Sequence, residues 1–285
     1  MSKLKIAIQK SGRLKDDSLK ILQNCGISID NGRDQLKTLS DNFPLEVFYL
    51  RNSDIPQYVE DRVVDLAIMG ENLLFETDSK LEIVRKLGFS KCRVAMAVPK
   101  DVGFDDLSFF EGKQIATSYP NTLRKFLSKN GLNASIHKIS GSVEIAPNIG
   151  LADAIMDIVS SGNTLFKNGL KETNTVLSSE AVLVKSPNLS LEKEKLIERL
   201  DFRLKAVLQA KQSRYVLMNV PNDKIKRVSE ILPVLKSPTV LPLAQEGWSS
   251  LHSVINNDDF WSVIDQLKEE GAEDILVAPI EKMVL

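Results

Sequence analysis

The sequence predicts an α/β protein with two strand–helix layers, followed by a small β-α-β-β-α-β module. Three observations carry this reading. From Leu4 to Val184, short apolar strands alternate with helical patterns, and most strands run into a polar loop. Leu191 to Ala210 is charged, regularly apolar and free of Pro and Gly, as a long connecting helix should be. From Arg214 onward the order changes to strand, helix, two strands, helix, strand, which is ferredoxin-like.

The elements follow in order. Leu4 to Ile8 is a strand, Gln9-Lys10-Ser11-Gly12-Arg13 its loop, and Asp16-Asp17-Ser18 a helix start leading to Cys25-Gly26. Pro44 to Tyr49 is the next strand, and Arg51 to Pro56 opens a helix through Val59. Val64 to Met69 is nearly all apolar, as in a sheet covered on both faces, and stops at Gly70-Glu71-Asn72. Cys92 to Val98 is a strand closed by Pro99. Lys113 to Ala116, the loop Thr117 to Asn121 and the helix Thr122 to Lys129 form a new unit. Ser135 to Ile139 is a strand, and Gly141-Ser142-Val143-Glu144 a turn. Ala152 to Val159 is an apolar strand broken only by Asp153 and Asp157, and Ala181 to Val184 is a further strand. In the tail, strands are expected at Tyr215–Val220, Thr239–Leu243, Ser250–Ile255 and Ile275–Ile280, with helices at Asp223–Leu232 and Asp258–Gly271.

Composition narrows the function. A chain of 285 residues suits two or three domains. Lys plus Arg is 37 against 38 Asp plus Glu, a net charge of −1, which argues against a dedicated duplex-DNA binder. No apolar run approaches the ~18 residues of a membrane span, and the start lacks the apolar segment of a secretory signal. Two cysteines, Cys25 and Cys92, point to a reducing cytoplasm rather than a disulfide scaffold, and read as packed thiols. Only His137 and His252 are present, so neither a zinc cluster nor Ser/His/Asp catalysis is expected; both read as structural.

The loop Ser160-Ser161-Gly162-Asn163-Thr164 is the most informative stretch. It offers hydroxyls and backbone N–H groups to a phosphate, glycine permits close approach, and a helix beginning near Thr164 adds partial positive charge. The flanking Asp153 and Asp157 suit ribose hydroxyls or a Mg²⁺ held on sugar and phosphate oxygens. In a strand they share a face but stand about 13 Å apart, so one ribose would meet Asp157, the nearer to the loop. The alternative is an acid-capped strand end with an ordinary polar turn. Gln9 to Arg13, Gly70 to Asn72 and Thr117 to Pro120 are further polar loops at strand ends, the edge where open α/β sheets collect ligands. Arg13 suits bidentate phosphate binding, or is a solvated turn residue. Arg93 begins the strand after the Gly70 loop. Together these loops predict a cleft between two lobes.

Six strings resemble the long form of ATP phosphoribosyltransferase, which opens histidine biosynthesis: IAIQKSGRL from Ile6, DLAIMGEN from Asp65, KQIATSYP from Lys113, GSVEIAP from Gly141, GLADAIMDIVSSGNTL from Gly150 and VAPIEKM from Val277. They run end to end in the family's order. Ser161 stands where a threonine is common, and keeps the hydroxyl. The resemblance implies two lobes like those of periplasmic binding proteins and a C-terminal ferredoxin-like regulatory domain. Residues 1–95 with 180–206 would form lobe I, 96–179 lobe II, and 207–285 the regulatory domain.

It also implies Mg²⁺-dependent condensation of ATP with phosphoribosyl pyrophosphate, adenine N1 displacing pyrophosphate at ribose C1 with inversion. Ser160 to Thr164 would hold the 5-phosphate, with Asp153 and Asp157 on the ribose side. Lys10, Arg13, Gly70, Glu71, Arg93, Tyr119 and Glu144 match ATP or cleft positions. No covalent or obligatory acid–base residue is expected, because positioning and electrostatics suffice for an oxocarbenium-like transition state with a good leaving group. The metal would sit mainly on substrate oxygens. By resemblance the chain assembles from dimer to hexamer and is inhibited by histidine, for which Ser237, Thr239 and Leu241 are the candidate wall. Two rivals remain open at this point: a two-lobed solute-binding protein, against which the missing export signal counts, and a short-form catalytic subunit, against which the tail module counts.

Overall fold

Buried apolar runs place the central strands. The computed structural model describes residues 3–30, 35–233 and 237–284. The chain divides into two compact units, Met1–Gln23 with Ile27–Ile197, and Asn24–Gly26 with Glu198–Leu285.

The first unit holds both α/β lobes. Lobe I begins with β1 (Leu4–Gln9), α1 (Arg13–Asn24), β2 (Lys37–Leu39), β3 (Leu45–Leu50), α2 (Ile55–Glu60), β4 (Leu66–Gly70), α3 (Glu71–Thr77) and β5 (Glu82–Lys86). Lobe II follows with β6 (Cys92–Pro99), β7 (Gln114–Thr117), α4 (Pro120–Lys129), β8 (Ser135–Lys138), β9 (Ala154–Val159), α5 (Asn163–Lys167) and β10 (Leu170–Ser179). The chain returns to lobe I as β11 (Ala181–Lys185) and continues into α6 (Leu191–Gln212). The sheets run β2-β3-β1-β4-β11-β5 and β10-β6-β9-β7-β8. β1 is parallel to β3 and β4, and β7 is parallel to β8 and β9. Leu66 to Met69 are fully buried, as expected of a strand covered on both faces.

Helix α1 begins at Arg13, not at Asp16 as expected. Gly12, at φ 87°, turns the chain, and its carbonyl accepts from Lys15 N at 3.0 Å and Asp16 N at 3.3 Å, which starts the helix at once. The Gly70 loop is likewise absent, because α3 follows β4 directly. Strands β2, β5 and β10 were not expected from the sequence. The compact units part at Ile197/Glu198 within α6, before the expected boundary at 207, because this helix is continuous across the junction.

The second unit carries β12 (Ser213–Pro221), α7 (Ile225–Ile231), β13 (Thr239–Pro242), β14 (Trp248–Asn256), α8 (Phe260–Glu269) and β15 (Glu273–Pro279). Its sheet runs β13-β14-β12-β15, all antiparallel, the ferredoxin-like order. Val216, Met218, Val220, Leu251 and Ile255 form its core with Val228 and Leu267 of the two helices. Among the described residues no helix is long and apolar enough to cross a membrane.

Candidate active site

The strand pairings bring the ends of both sheets to one place. Gly70, the last residue of β4, pairs with Ala181, the first of β11. Val159, the last of β9, pairs with Arg93, and Cys92 pairs with Ser179. Both crossings between the lobes therefore pass the C-terminal ends of parallel strands, and a cleft opens there. A cavity of about 450 Å³ at this crossing is lined by Glu71, Lys86, Arg93, Ser160, Ser179 and Glu180, among others.

The Ser160–Thr164 loop leaves β9 on this edge. Gly162 takes φ 79°, the left-handed region open to glycine, and caps α5. Asn163 N, in the first turn of α5, donates to Ser161 Oγ at 3.5 Å. Ser160, Ser161, Asn163 and Thr164 are exposed. Arg93 fixes the loop's base: it makes a bidentate pair with Glu172, and its Nη1 donates to the Ser160 carbonyl at 3.2 Å. Arg93 thus reaches the cleft with its guanidinium already engaged by Glu172 and the Ser160 carbonyl.

Asp157 lies beside this loop. Burial pushes its carboxyl up to about 6, against a hydrogen bond from its neighbour's N–H at Ile158, and the charge of Glu144 adds to the rise. Glu144 sits on a single 3-10 turn, Val143–Ile145, which packs on β9. Two carboxylates from separate segments thus stand near each other. Asp153 does not join them. It precedes β9 at the opposite end of the strand, and its Oδ2 accepts from Gln114 N at 2.8 Å, closing the start of β7. Asp153 and Asp157 therefore lie toward opposite ends of β9, with Asp157 the nearer to the Ser160–Thr164 loop.

The remaining expected residues gather at the cleft. Gly70 approaches Asn72 so closely that a Cβ would meet Asn72 Oδ1 at 2.4 Å. That buried oxygen accepts from Ser179 Oγ at 3.1 Å, and Ser179 Oγ in turn accepts from Asn72 N at 3.0 Å. Glu71 pairs with Lys86 at 3.1 Å. Tyr119, at the N-terminus of α4, packs against the cores of both lobes. Burial and then the charge of Asp157 raise its phenol, which stays protonated. Lys10 and Arg13 stand exposed at the end of β1 and the start of α1, Arg13 lying 3.8 Å from Asp17. In the second unit, Thr239 and Leu241 lie on the exposed edge strand β13, opposite His252 and Ser250, and Ser237 just precedes it.

The family model described as ATP phosphoribosyltransferase matches residues 51–206, and that described as HisG, C-terminal domain, matches 210–282. A Cytophaga hutchinsonii protein named ATP phosphoribosyltransferase is 55% identical over 99% of this chain and 98% of its own. The chain belongs to the ATP phosphoribosyltransferase family. A Phocaeicola vulgatus protein of the same name is 52% identical over 99% of this chain and 100% of its own. The solved ATP phosphoribosyl transferase (HisG:HisZ) complex from Thermotoga maritima aligns at TM-score 0.63 with 28% identity, covering 72% of this chain and 98% of that one. This is therefore a pentosyltransferase of histidine biosynthesis, in the form of ATP phosphoribosyltransferase that carries the C-terminal domain.

Glu172, Ser179 and Glu76 carry no local signal in the sequence. Glu172 and Ser179 lie on β10, whose polar sequence LKETNTVLSS carries no strand signal. Glu76 lies near the end of the short helix α3, and nothing local in the sequence marks its partners on α4.

Proposed function

We propose that the cleft joins ATP to phosphoribosyl pyrophosphate, adenine N1 displacing pyrophosphate at ribose C1 with inversion to give N1-(5-phosphoribosyl)-ATP. One observation carries this: the hydroxyl-rich Ser160–Thr164 loop and the carboxylates of Asp157 and Glu144 share one edge of lobe II. The loop's hydroxyls and backbone N–H groups bind the 5-phosphate, and Asp157, ionised above about pH 6, accepts from the ribose hydroxyls. Lys10, Arg13 and Glu71 flank the opposite wall and meet the nucleotide.

Two carboxylates suit Mg²⁺, which is commonly held by one or two acidic side chains and otherwise by substrate phosphates and water. Among the described residues no three His, Cys, Asp or Glu converge, so Asp157 and Glu144 would share the ion with the substrate. Bound there, Mg²⁺ supplies charge neutralisation for the departing pyrophosphate. The chain's own part is alignment: the loop anchors the sugar, Asp157 orients it, and Tyr119 offers a protonated hydroxyl as a donor. The Cys92 thiol, raised by burial, stays protonated and takes no part as a nucleophile.

Histidine, the end product, regulates through the second unit. Edge strand β13 has backbone groups unpaired on one side, and the exposed Ser237 and Thr239 hydroxyls stand beside them for a carboxylate and an ammonium. The chain works in the cytoplasm as a homo-oligomer between dimer and hexamer, and histidine favours the larger form.

The deciding experiment gives the purified chain both substrates and Mg²⁺ and measures pyrophosphate release. Release that requires both substrates supports the reading. No release, with either ligand merely bound, would make the chain a binding protein.

A further inference from the structure

Helix α4 begins Tyr119-Pro120-Asn121-Thr122, and its N-cap tyrosine makes no side-chain capping bond. Pro120 lacks an N–H, so the N–H groups of Asn121 and Thr122 head the first turn without a local acceptor. Serine, threonine, aspartate or asparagine would ordinarily stand at this cap. The acceptor comes instead from the other lobe. Glu76 of α3 takes Asn121 N at 3.1 Å on Oε1, and Thr122 N and Thr122 Oγ1, both at 2.9 Å, on Oε2. Its backbone carbonyl accepts from Asn121 Nδ2 at 2.9 Å. One turn further, Lys125 reaches Asp78 at 2.7 Å and the Phe75 carbonyl at 3.3 Å.

We propose that Glu76 is a positioning residue for the transferase reaction: by capping α4 from lobe I, it sets where Tyr119 stands in the cleft. The cap position is occupied by the cleft residue itself, so a self-capping side chain is excluded there, and lobe I supplies the carboxylate. The bond set is also a lobe-to-lobe tie, because α3 follows directly from Gly70 and Glu71 on the opposite wall. Tyr119 packs on both cores, so a shift of α4 moves its hydroxyl relative to Asp157. This inference rests on the cleft being the active site.

The test is steady-state kinetics of Glu76→Ala, Glu76→Gln, Tyr119→Phe and the Glu76→Ala/Tyr119→Phe double variant, with thermal unfolding of each. Glu76→Ala should lower kcat/KM roughly tenfold or more in the folded protein. Glu76→Gln keeps one acceptor and should lose about threefold. The effect of Glu76→Ala should shrink in the Tyr119→Phe background, because both act through one hydroxyl. Normal kinetics in Glu76→Ala with only a lowered melting temperature would overturn the proposal, as would strict additivity in the double variant. If Glu76→Ala does not fold, the same cycle is run with Glu76→Gln, and unchanged kinetics there overturn it. Failure of the active-site reading is separable: then Tyr119→Phe and Thr164→Val would each leave both substrates' kinetics unchanged.

Discussion

Nη1 of Arg93 donates to the carbonyl oxygen of Ser160 at 3.2 Å, so a strand of lobe II holds the base of the Ser160–Thr164 loop. The remaining guanidinium nitrogens are locked by Glu172, which orients the arginine. Lysine cannot reproduce this fork. Arg93→Lys is expected to raise the KM for phosphoribosyl pyrophosphate about five- to tenfold, while the KM for ATP changes little. Equal changes in both constants would place Arg93's influence outside the loop.

Thr164 offers the loop's last hydroxyl. Thr164→Val keeps the shape and removes the donor. The loss to a charged phosphate oxygen should be about 1.5–3 kcal/mol, read as a higher KM for the sugar substrate far more than for ATP. Unchanged kinetics for both substrates would reject this loop as the phosphate site.

Asp157 ties pH to both stability and binding. Its carboxyl is raised from 3.8 to about 6, chiefly by burial, so between those values the folded chain holds more protons than the unfolded one. Stability therefore rises as pH falls from about 6 toward 4, and the ionised group costs on the order of 3 kcal/mol at neutral pH. Asp157→Asn should melt at a higher temperature than the parent at pH 7.5, with the gap closing by pH 4. The same variant should bind phosphoribosyl pyrophosphate more weakly, with no rescue by raising pH. A melting difference independent of pH would contradict the burial argument. Recovery at high pH with normal affinity would make Asp157 a general base.

Thr239 tests regulation. Under the proposed regulation, histidine would inhibit only by binding a less active arrangement better than the active one, because equal affinity shifts nothing. Thr239→Ala should weaken histidine binding and inhibition together and leave uninhibited activity intact; calorimetry and initial rates measure both. Parent-like binding and inhibition would move the histidine site away from β13, and a parent that never binds histidine would end the regulatory reading.

The sequence by itself determined the layers and their loops. The central strands β1, β4, β9 and β11 are apolar because both faces are covered, and that burial writes itself into composition. The Ser160–Thr164 loop stands out in the sequence because its hydroxyls and glycine fall within a few consecutive residues, the composition that the proposed phosphate site needs. The strands that escaped, β2, β5 and β10, are all sheet edges, where one side is solvated and polar residues are tolerated. Only the tertiary structure decided which charges meet. Spacing along the strand sets Asp157 nearer the loop than Asp153, but only the fold shows Asp153 accepting from Gln114 N at the start of β7. Arg93 meets Glu172, and Glu76 meets α4, across separations that no local pattern encodes. A helix cap or an ion pair needs only one acceptor in the right place. Long-range packing, not periodicity, supplies that place.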